Sequence, residues 1–141
     1  MKATKLLPLL LLVAGLLLAA CGGGSEAAAP ANAVDLAALP ETVDVSTVNA
    51  IKDDPGVFLL DVREPDEYAA GHIPGITLIP MGEIPARMSE LPKDKPVIVT
   101  CRTGNRSGQV TDFLREQGFT NVHNMDGGIV AWEAAGYAVE Q

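Results

Sequence analysis

The residues best suited to chemistry in this chain stand in one short stretch, residues 101–107, which reads Cys-Arg-Thr-Gly-Asn-Arg-Ser. A cysteine thiolate is a strong nucleophile, and the two arginines place positive charge beside it. The other side chains of the stretch add hydroxyl and amide groups that can bind an anion. We therefore predict that Cys101 is a nucleophile and that the rest of the stretch binds its substrate, namely Arg102, Thr103, Gly104, Asn105, Arg106 and Ser107.

The stretch lies between a segment with a strand pattern and a segment with a helix pattern. Residues 96–100 form a β-branched run typical of a buried strand, whereas Val110, Phe113 and Leu114 follow the spacing of one helical face. A loop between a strand and a helix exposes backbone N–H groups that have no carbonyl partner, so it can bind an anion. These N–H groups and the arginines should lower the pKa of the Cys101 thiol. A buried, inert cysteine is the less favoured alternative.

Strand and helix patterns alternate along the rest of the chain, which predicts an α/β domain with a mainly parallel sheet. The segment 57–62 is apolar throughout, so helices should cover both faces of this sheet. Ligands of such sheets bind beyond the carboxyl ends of the strands, where Cys101 is placed. The expected strands are 43–45, 57–62, 76–79, 96–100 and 122–125, and the expected helices are one capped by Ser46, then 65–70, 83–91, one ending near Gln117, and 128–135.

The Cys-x-x-Gly-x-Arg-Ser loop resembles the active-site loop of single-domain rhodaneses, the thiosulfate sulfurtransferase family. Further segments are similar to that family's signatures, occur in the same order and together cover about residues 43–139. They are the segments 59–64, 67–68, 71–75, 91–92, 127–132 and 136–137.

The resemblance implies a rhodanese-type fold and a sulfurtransferase activity. Cys101 would take a sulfane sulfur from a small anionic donor such as thiosulfate, hold it as a persulfide and pass it to cyanide or a thiol. Neither a cofactor nor a metal is expected. A persulfide carrier or sulfur-binding partner module is the alternative. A cysteine-dependent phosphatase or arsenate reductase is less favoured, because the related phosphatases have five residues between Cys and Arg, and only four separate Cys101 from Arg106.

Three polar residues outside the loop, Asp61, Arg63 and His72, have two interpretations each. Asp61 and Arg63 lie at the end of a predicted strand, so Arg63 is a candidate substrate ligand and Asp61 could contact the loop. An ion pair that holds the fold is the favoured interpretation for both. His72 could act as a base for Cys101, but its turn-like setting favours a hydrogen-bonding structural role. His123 has no second ligand nearby in sequence, so no metal site is predicted.

The first residues have the composition of a bacterial export signal. Lys2 and Lys5 precede an apolar run that ends in Leu-Ala-Ala-Cys, which resembles a lipobox. We expect residues 1–20 to be a signal peptide, and 21–40 to comprise a lipidated Cys21 and a flexible tether, in which residues 33–39 either continue the tether or form a short helix. Residues 41–141 would form the rhodanese domain. This predicts an exported protein, anchored by lipid to the periplasmic or extracytoplasmic face of the cell envelope.

Acidic residues dominate the charge. The chain has a formal net charge of −8, and loss of Lys2 and Lys5 with the signal would leave 8 basic against 18 acidic residues, a net charge of −10. Such a surface repels phosphate backbones and argues against nucleic acid as a partner. We expect the domain to be a monomer.

Overall fold

A parallel β-sheet of five strands forms the centre of the domain in the computed structural model, which describes residues 33–141. In chain order the strands are β1 Thr42–Val43, β2 Phe58–Asp61, β3 Thr77–Leu78, β4 Val97–Thr100 and β5 Val122–Met125. Their order in the sheet is β1-β5-β4-β2-β3. The predicted signal peptide, Cys21 and the tether as far as residue 32 lie outside the described residues. Within 33–141, no helix is both long and apolar enough to cross a bilayer.

Two layers of helices cover the sheet. Neighbouring residues of a strand point to opposite faces, so Leu60 packs in one core cluster and Leu59 in the other. The helix α4, Asn105–Glu116, contributes Val110 and Leu114 to the first cluster, and α5, Gly128–Ala134, contributes Trp132 to the second. The predicted α/β fold, with helices on both faces, is confirmed. The helices are α1 Val45–Ile51, α2 Pro65–Ala70, α3 Ile84–Arg87, α4 Asn105–Glu116 and α5 Gly128–Ala134.

The central strand β4 leads directly to the reactive loop. It pairs in parallel with β2, where Leu60 lies opposite Val99, and with β5, where Asn124 lies opposite the same residue. All carboxyl ends therefore meet at one edge of the sheet. Cys101 begins the connection from β4 to α4 at that edge, as the pattern predicted.

The start of the first helix differs from the prediction. Asp44, not Ser46, is the N-cap, because its carboxylate accepts hydrogen bonds from the N–H groups of both Ser46 and Thr47, each at 2.9 Å. Val45 is consequently the first helical residue and does not continue β1.

The predicted helix 83–91 is also wrong as a single element. A 3₁₀ turn at Met81–Glu83, the short α3 and a second 3₁₀ turn at Met88–Glu90 replace it. Pro85 is compatible with the first turn of α3, where its missing N–H costs no helical hydrogen bond. The break comes at Arg87, whose φ of −115° and ψ of 4° lie outside the α-helical region.

Residues before β1 belong to the packed structure. Leu36–Ala38 form a 3₁₀ turn capped by Asp35. Of the two alternatives for residues 33–39, a short helix or a continued tether, the structure therefore shows the short helix. Val34, Leu36 and Leu39 pack against the core cluster that contains Trp132.

Candidate active site

The thiol of Cys101 lies at the base of a cradle made by the start of α4. Its Sγ accepts a hydrogen bond from the backbone N–H of Gly104 at 3.1 Å and another from the Ser107 hydroxyl at 3.3 Å. Cys101 is only 1% exposed, and Ser107 is completely buried. Helix α4 begins at Asn105, so the second half of the predicted loop forms the first turn of the helix. The free N–H groups of this turn face the sulfur.

These hydrogen bonds determine the charge state of the thiol. Burial raises the pKa of Cys101, but the Ser107 hydroxyl and the backbone N–H groups of Ser107, Thr103 and Gly104 outweigh it. The net pKa is therefore lower than that of an ordinary thiol, and the thiolate is favoured. This is the direction that the sequence predicted.

The N-terminus of α5 orients the loop from behind. Its N–H groups at Ile129 and Val130 donate to the carbonyls of Cys101 and Arg102, at 2.9 and 3.1 Å. A trans peptide directs its C=O and N–H to opposite sides, so holding the Arg102 carbonyl on α5 directs the Thr103 N–H toward Sγ. Helix α5 thus contributes to the cradle without touching the sulfur.

Close contact between α5 and the loop requires glycine. Gly128 has φ +58°, and a Cβ there would lie 2.4 Å from the Cys101 carbonyl oxygen. Gly104, the N-cap of α4, has φ +91°, and its Cβ would lie 3.2 Å from the Gly127 nitrogen. Asn124 of β5 donates from Nδ2 to the Gly104 carbonyl at 3.1 Å, and this hydrogen bond ties the turn to the sheet.

Arg106 forms an ion pair with Glu67 of α2. Its two terminal nitrogens each donate to one carboxylate oxygen of Glu67, both at 2.7 Å. The Arg106 hydrogen bonds hold the pKa of Glu67 at about 2, so this carboxylate is ionised at neutral pH. In the opposite direction, Glu67 and, more weakly, Cys101 raise the pKa of Arg106.

Arg63 lies in a buried network with Asp61, and it also lines the cavity that Arg102 borders. Its Nε and Nη2 donate to Asp61, with the shortest contact at 2.7 Å, and Asp61 is fully buried. Nη2 and Nη1 also donate to the carbonyls of Gly71 and Glu67, so Arg63 ties both ends of α2 to β2. These contacts agree with the fold-holding ion pair that was favoured over substrate binding.

The remaining side chains of the loop face outward. Arg102 and Thr103 are exposed, and Arg102 has no ion-pair partner within residues 33–141. Asn105 accepts a hydrogen bond from Gln109 at 2.8 Å along the surface of α4. Arg102 borders an open cavity of about 240 Å³, whose other lining residues include Arg63, Glu67, Ile129, Val130 and Glu133.

Neither histidine is placed as a base for Cys101. His72 stacks on Tyr68 with ring centroids 3.7 Å apart, and its backbone pairs with Glu140 near the C-terminus. His123 contacts the carbonyl oxygen of Pro40 and the side chain of Asn121. Among the described residues, no group of His, Cys, Asp and Glu side chains is arranged to hold a metal ion.

Sequence reasoning missed three residues that support the site. Glu67 had been noted only as part of a motif, Asn124 only as part of a strand, and Gly128 only as part of a motif and as the start of a helix. A usable signal existed for two of them. Asn124 is a polar residue in an otherwise mostly apolar strand, and consecutive glycines at a helix start indicate close backbone approach.

Comparison with known proteins gives a consistent result. A family model described as "Rhodanese-like domain" matches residues 44–135. A protein named "Sulfurtransferase" from Allochromatium vinosum is 45% identical over 89 residues, which cover 63% of this chain and 83% of that protein. Thiosulfate sulfurtransferase GlpE of Pseudoalteromonas translucida is 39% identical, with 66% and 89% covered.

Two further matches extend the comparison. A putative sulfur carrier protein, YrkF of Bacillus subtilis, is 34% identical over 67% of this chain and 51% of its own length. Among solved structures, a rhodanese-related protein from Thermoplasma volcanium aligns with a TM-score of 0.66 and 32% identity. That alignment covers 72% of this chain and 98% of the other chain.

Proposed function

Because the chain belongs to the rhodanese-like domain family, we propose that it is a sulfurtransferase that carries sulfane sulfur on Cys101. The donor would be a small sulfur anion such as thiosulfate, and the acceptor a thiol or cyanide. The observation that carries the proposal is the Cys101 Sγ within hydrogen-bond reach of the Gly104 N–H and the Ser107 hydroxyl. Relatives named as sulfurtransferases support it.

In the first half-reaction, the Cys101 thiolate attacks the outer sulfur of thiosulfate. A bond forms between Sγ and this sulfur while the S–S bond of the donor breaks, and its electron pair leaves with sulfite. The lowered pKa of Cys101 supplies the thiolate without a separate base. This agrees with the absence of a histidine contact to Sγ among the described residues.

In the second half-reaction, the acceptor attacks the terminal sulfur of the persulfide. The bond between Sγ and that sulfur breaks, and its electrons return to Cys101 as the thiolate. The N–H groups of the α4 first turn and the Ser107 hydroxyl stabilise the departing thiolate as they stabilise the resting one. Because sulfite leaves before the acceptor reacts, the kinetics should be ping-pong.

A persulfide carrier is a second candidate, favoured by the relative named as a sulfur carrier. A carrier would keep the cradle and the persulfide but would transfer sulfur only to a protein partner. Turnover of a small donor with a small acceptor by the purified protein distinguishes the two functions.

The loop length argues against phosphoryl transfer. One residue fewer between Cys101 and Arg106 than in the related phosphatases shortens the loop by up to about 3.5 Å of chain. A ring of this size suits a single sulfur atom on Cys101 better than a tetrahedral phosphate with its leaving group. Moreover, Arg106 is already bonded to Glu67 through both terminal nitrogens.

The proposal is tested by mixing the protein with thiosulfate and cyanide and measuring thiocyanate. We expect formation that is abolished in Cys101→Ser, with no Cys101-dependent hydrolysis of an aryl phosphate. Transfer to a small thiol would be measured in the same preparation. Aryl phosphate hydrolysis that requires Cys101, with no thiocyanate formed, would reverse the assignment.

We further propose that the protein acts at the cell envelope, held there by lipid on Cys21. The lipobox-like sequence before Cys21 supports this location. A membrane anchor would restrict the acceptor to molecules outside the cytoplasm.

A further inference from the structure

The ion pair between Glu67 and Arg106 is the feature of the site that sulfur transfer on Cys101 does not explain. It joins two elements that are far apart in sequence, α2 and the first turn of α4. The Arg106 side chain is 32% exposed and that of Glu67 is 27% exposed, so the pair lies at the rim of the cradle and not in the core. Arg106 directly precedes Ser107, whose hydroxyl donates to Sγ, so both residues belong to the helical turn that forms the cradle. The charge of Cys101 also contributes to the raised pKa of Arg106.

An arginine beside an anion cradle would ordinarily bind an oxyanion. A guanidinium presents two parallel N–H groups that match two oxygens of a phosphate, sulfate or carboxylate. In this protein, Glu67 occupies that edge of Arg106 with both carboxylate oxygens at 2.7 Å. The carboxylate also cancels the charge of the guanidinium.

Glu67 is held in this position by its own element. Its carboxylate accepts the Glu64 N–H in the capping box of α2, at 3.2 Å, and its carbonyl accepts a hydrogen bond from Arg63. Arg63 is in turn bonded to the buried Asp61. The carboxylate therefore stays at the rim, where it competes with any oxyanion for Arg106.

We propose that Glu67 is a specificity-determining residue that keeps tetrahedral oxyanions weakly bound by occupying Arg106. The cradle then favours a single anionic sulfur, which the backbone N–H groups and Ser107 can bind, over phosphate, sulfate and sulfite, which need the guanidinium. The inference rests on the proposed function in one respect, because weak oxyanion binding would let sulfite leave after the first half-reaction.

The test removes the negative charge and keeps the shape. Glu67→Gln retains an oxygen for the Glu64 N–H, so the cap of α2 should survive. Iodoacetamide alkylation of Cys101 would be followed in the full-length protein with increasing inorganic phosphate, at ionic strength matched with sodium chloride. One freed pair of charge-assisted hydrogen bonds should let Glu67→Gln reach half-protection at about a tenfold lower phosphate concentration than the wild type.

Two variants show whether the freed guanidinium is the cause. The double variant Glu67→Gln/Arg106→Gln should lose the gain and return to the wild-type phosphate requirement or above it. Glu83→Gln removes one partner of an exposed ion pair with Arg87, and it should leave phosphate protection unchanged. Should Glu67→Gln fail to fold, Glu67→Ala removes the same charge at a helical position and serves as the same test.

Equal phosphate protection in wild type and Glu67→Gln, or a gain that persists in the double variant, would overturn the proposal. A second reading comes from thiosulfate kinetics, where Glu67→Gln should lower KM several-fold more than it changes kcat, whereas a purely structural defect would lower kcat. The alkylation readout requires no sulfur transfer. If the wild type formed no thiocyanate while Glu67→Gln still showed the phosphate gain, only the proposed function would be refuted.

Discussion

Cys101 owes its lowered pKa to short-range hydrogen bonds and not to a neighbouring base. The Ser107 hydroxyl and three backbone N–H groups outweigh the cost of burying the sulfur. The sequence suggested that Arg102 and Arg106 would share this work. In the structure Arg102 is exposed to solvent, and Arg106 forms an ion pair with Glu67.

Ser107→Ala should raise the pKa of Cys101, because it removes the side-chain hydrogen bond that lowers this pKa most. The curve of alkylation rate against pH should move to higher pH, and the rate at neutral pH should fall several-fold because less thiolate is present. Iodoacetamide alkylation of Cys101 followed across the pH range measures the shift.

Thr111→Val is the matched control, because it removes a buried hydroxyl of the same helix that bonds the Gly108 carbonyl instead of the sulfur. Its alkylation curve should coincide with that of the wild type. We expect Arg106→Ala to move the curve in the same direction as Ser107→Ala but by less. A larger shift from Arg106→Ala than from Ser107→Ala would show that the charge of Arg106, and not local hydrogen bonding, sets the pKa of Cys101.

At the scale of elements, the site is a junction of α4, α5 and the loop between β4 and α4. Helix α4 supplies donors to the sulfur, and α5 fixes the peptide planes of the loop through Ile129 and Val130. Only glycine at position 128 allows the two backbones to approach this closely. The positions of the N–H groups around Sγ therefore depend on α5, although the hydrogen bonds to Sγ come from Gly104 and Ser107.

Gly128→Ala should reduce sulfur transfer far more than it reduces stability. Its Cβ would clash with the carbonyls of Cys101 and Arg102, which forces the loop to shift. The positive φ adds a strain of about 1–2 kcal/mol. Thiocyanate formation and the thermal unfolding midpoint, measured on the same preparation, separate the two effects.

Gly118→Ala provides the comparison for strain alone. Gly118 follows the C-cap of α4 with φ +89°, and a Cβ there would meet no atom within 4 Å. This variant should lose a similar free energy of unfolding from strain but retain its rate of transfer. If both variants lost activity equally, loop positioning by α5 would not be the explanation.

The sequence predicted elements better than it predicted contacts between them. The apolar run before Cys101 and the helical spacing after it located β4 and α4, because these patterns reflect burial along a single segment. The Glu67–Arg106 pair joins residues 39 positions apart, and no local pattern encodes that distance. The Asp44 cap was missed because this carboxylate stands two residues before Ser46 and accepts hydrogen bonds from the N–H groups of Ser46 and Thr47, so the helix begins earlier than predicted.

At the scale of the whole molecule, the acidic surface and the proposed lipid anchor define the partners that can reach the site. The chain carries 18 acidic and 10 basic residues, whereas in the cavity beside the loop Glu67 and Glu133 are balanced by Arg63 and Arg102. Highly charged anions are therefore repelled at a distance, and screening by salt should reduce that repulsion. Raising the salt concentration should lower the KM for thiosulfate.

Cys21→Ser should prevent lipid attachment if the lipobox-like sequence is used as we propose. In cells that make bacterial lipoproteins, the wild type should incorporate labelled fatty acid and partition with membranes, and the variant should do neither. Cys101→Ser is the control for the other cysteine and should be labelled normally. Equal labelling of wild type and Cys21→Ser would remove the proposed anchor and leave the account of the site intact.

The central claim is that Cys101 carries one sulfur atom between donor and acceptor. The most direct measurement is the intact mass of the protein after thiosulfate is added and removed, before and after cyanide. We predict a gain of the mass of one sulfur atom, complete loss of that gain with cyanide, and no gain in Cys101→Ser. An unchanged mass in the wild type after thiosulfate, or an equal gain in Cys101→Ser, would contradict the account.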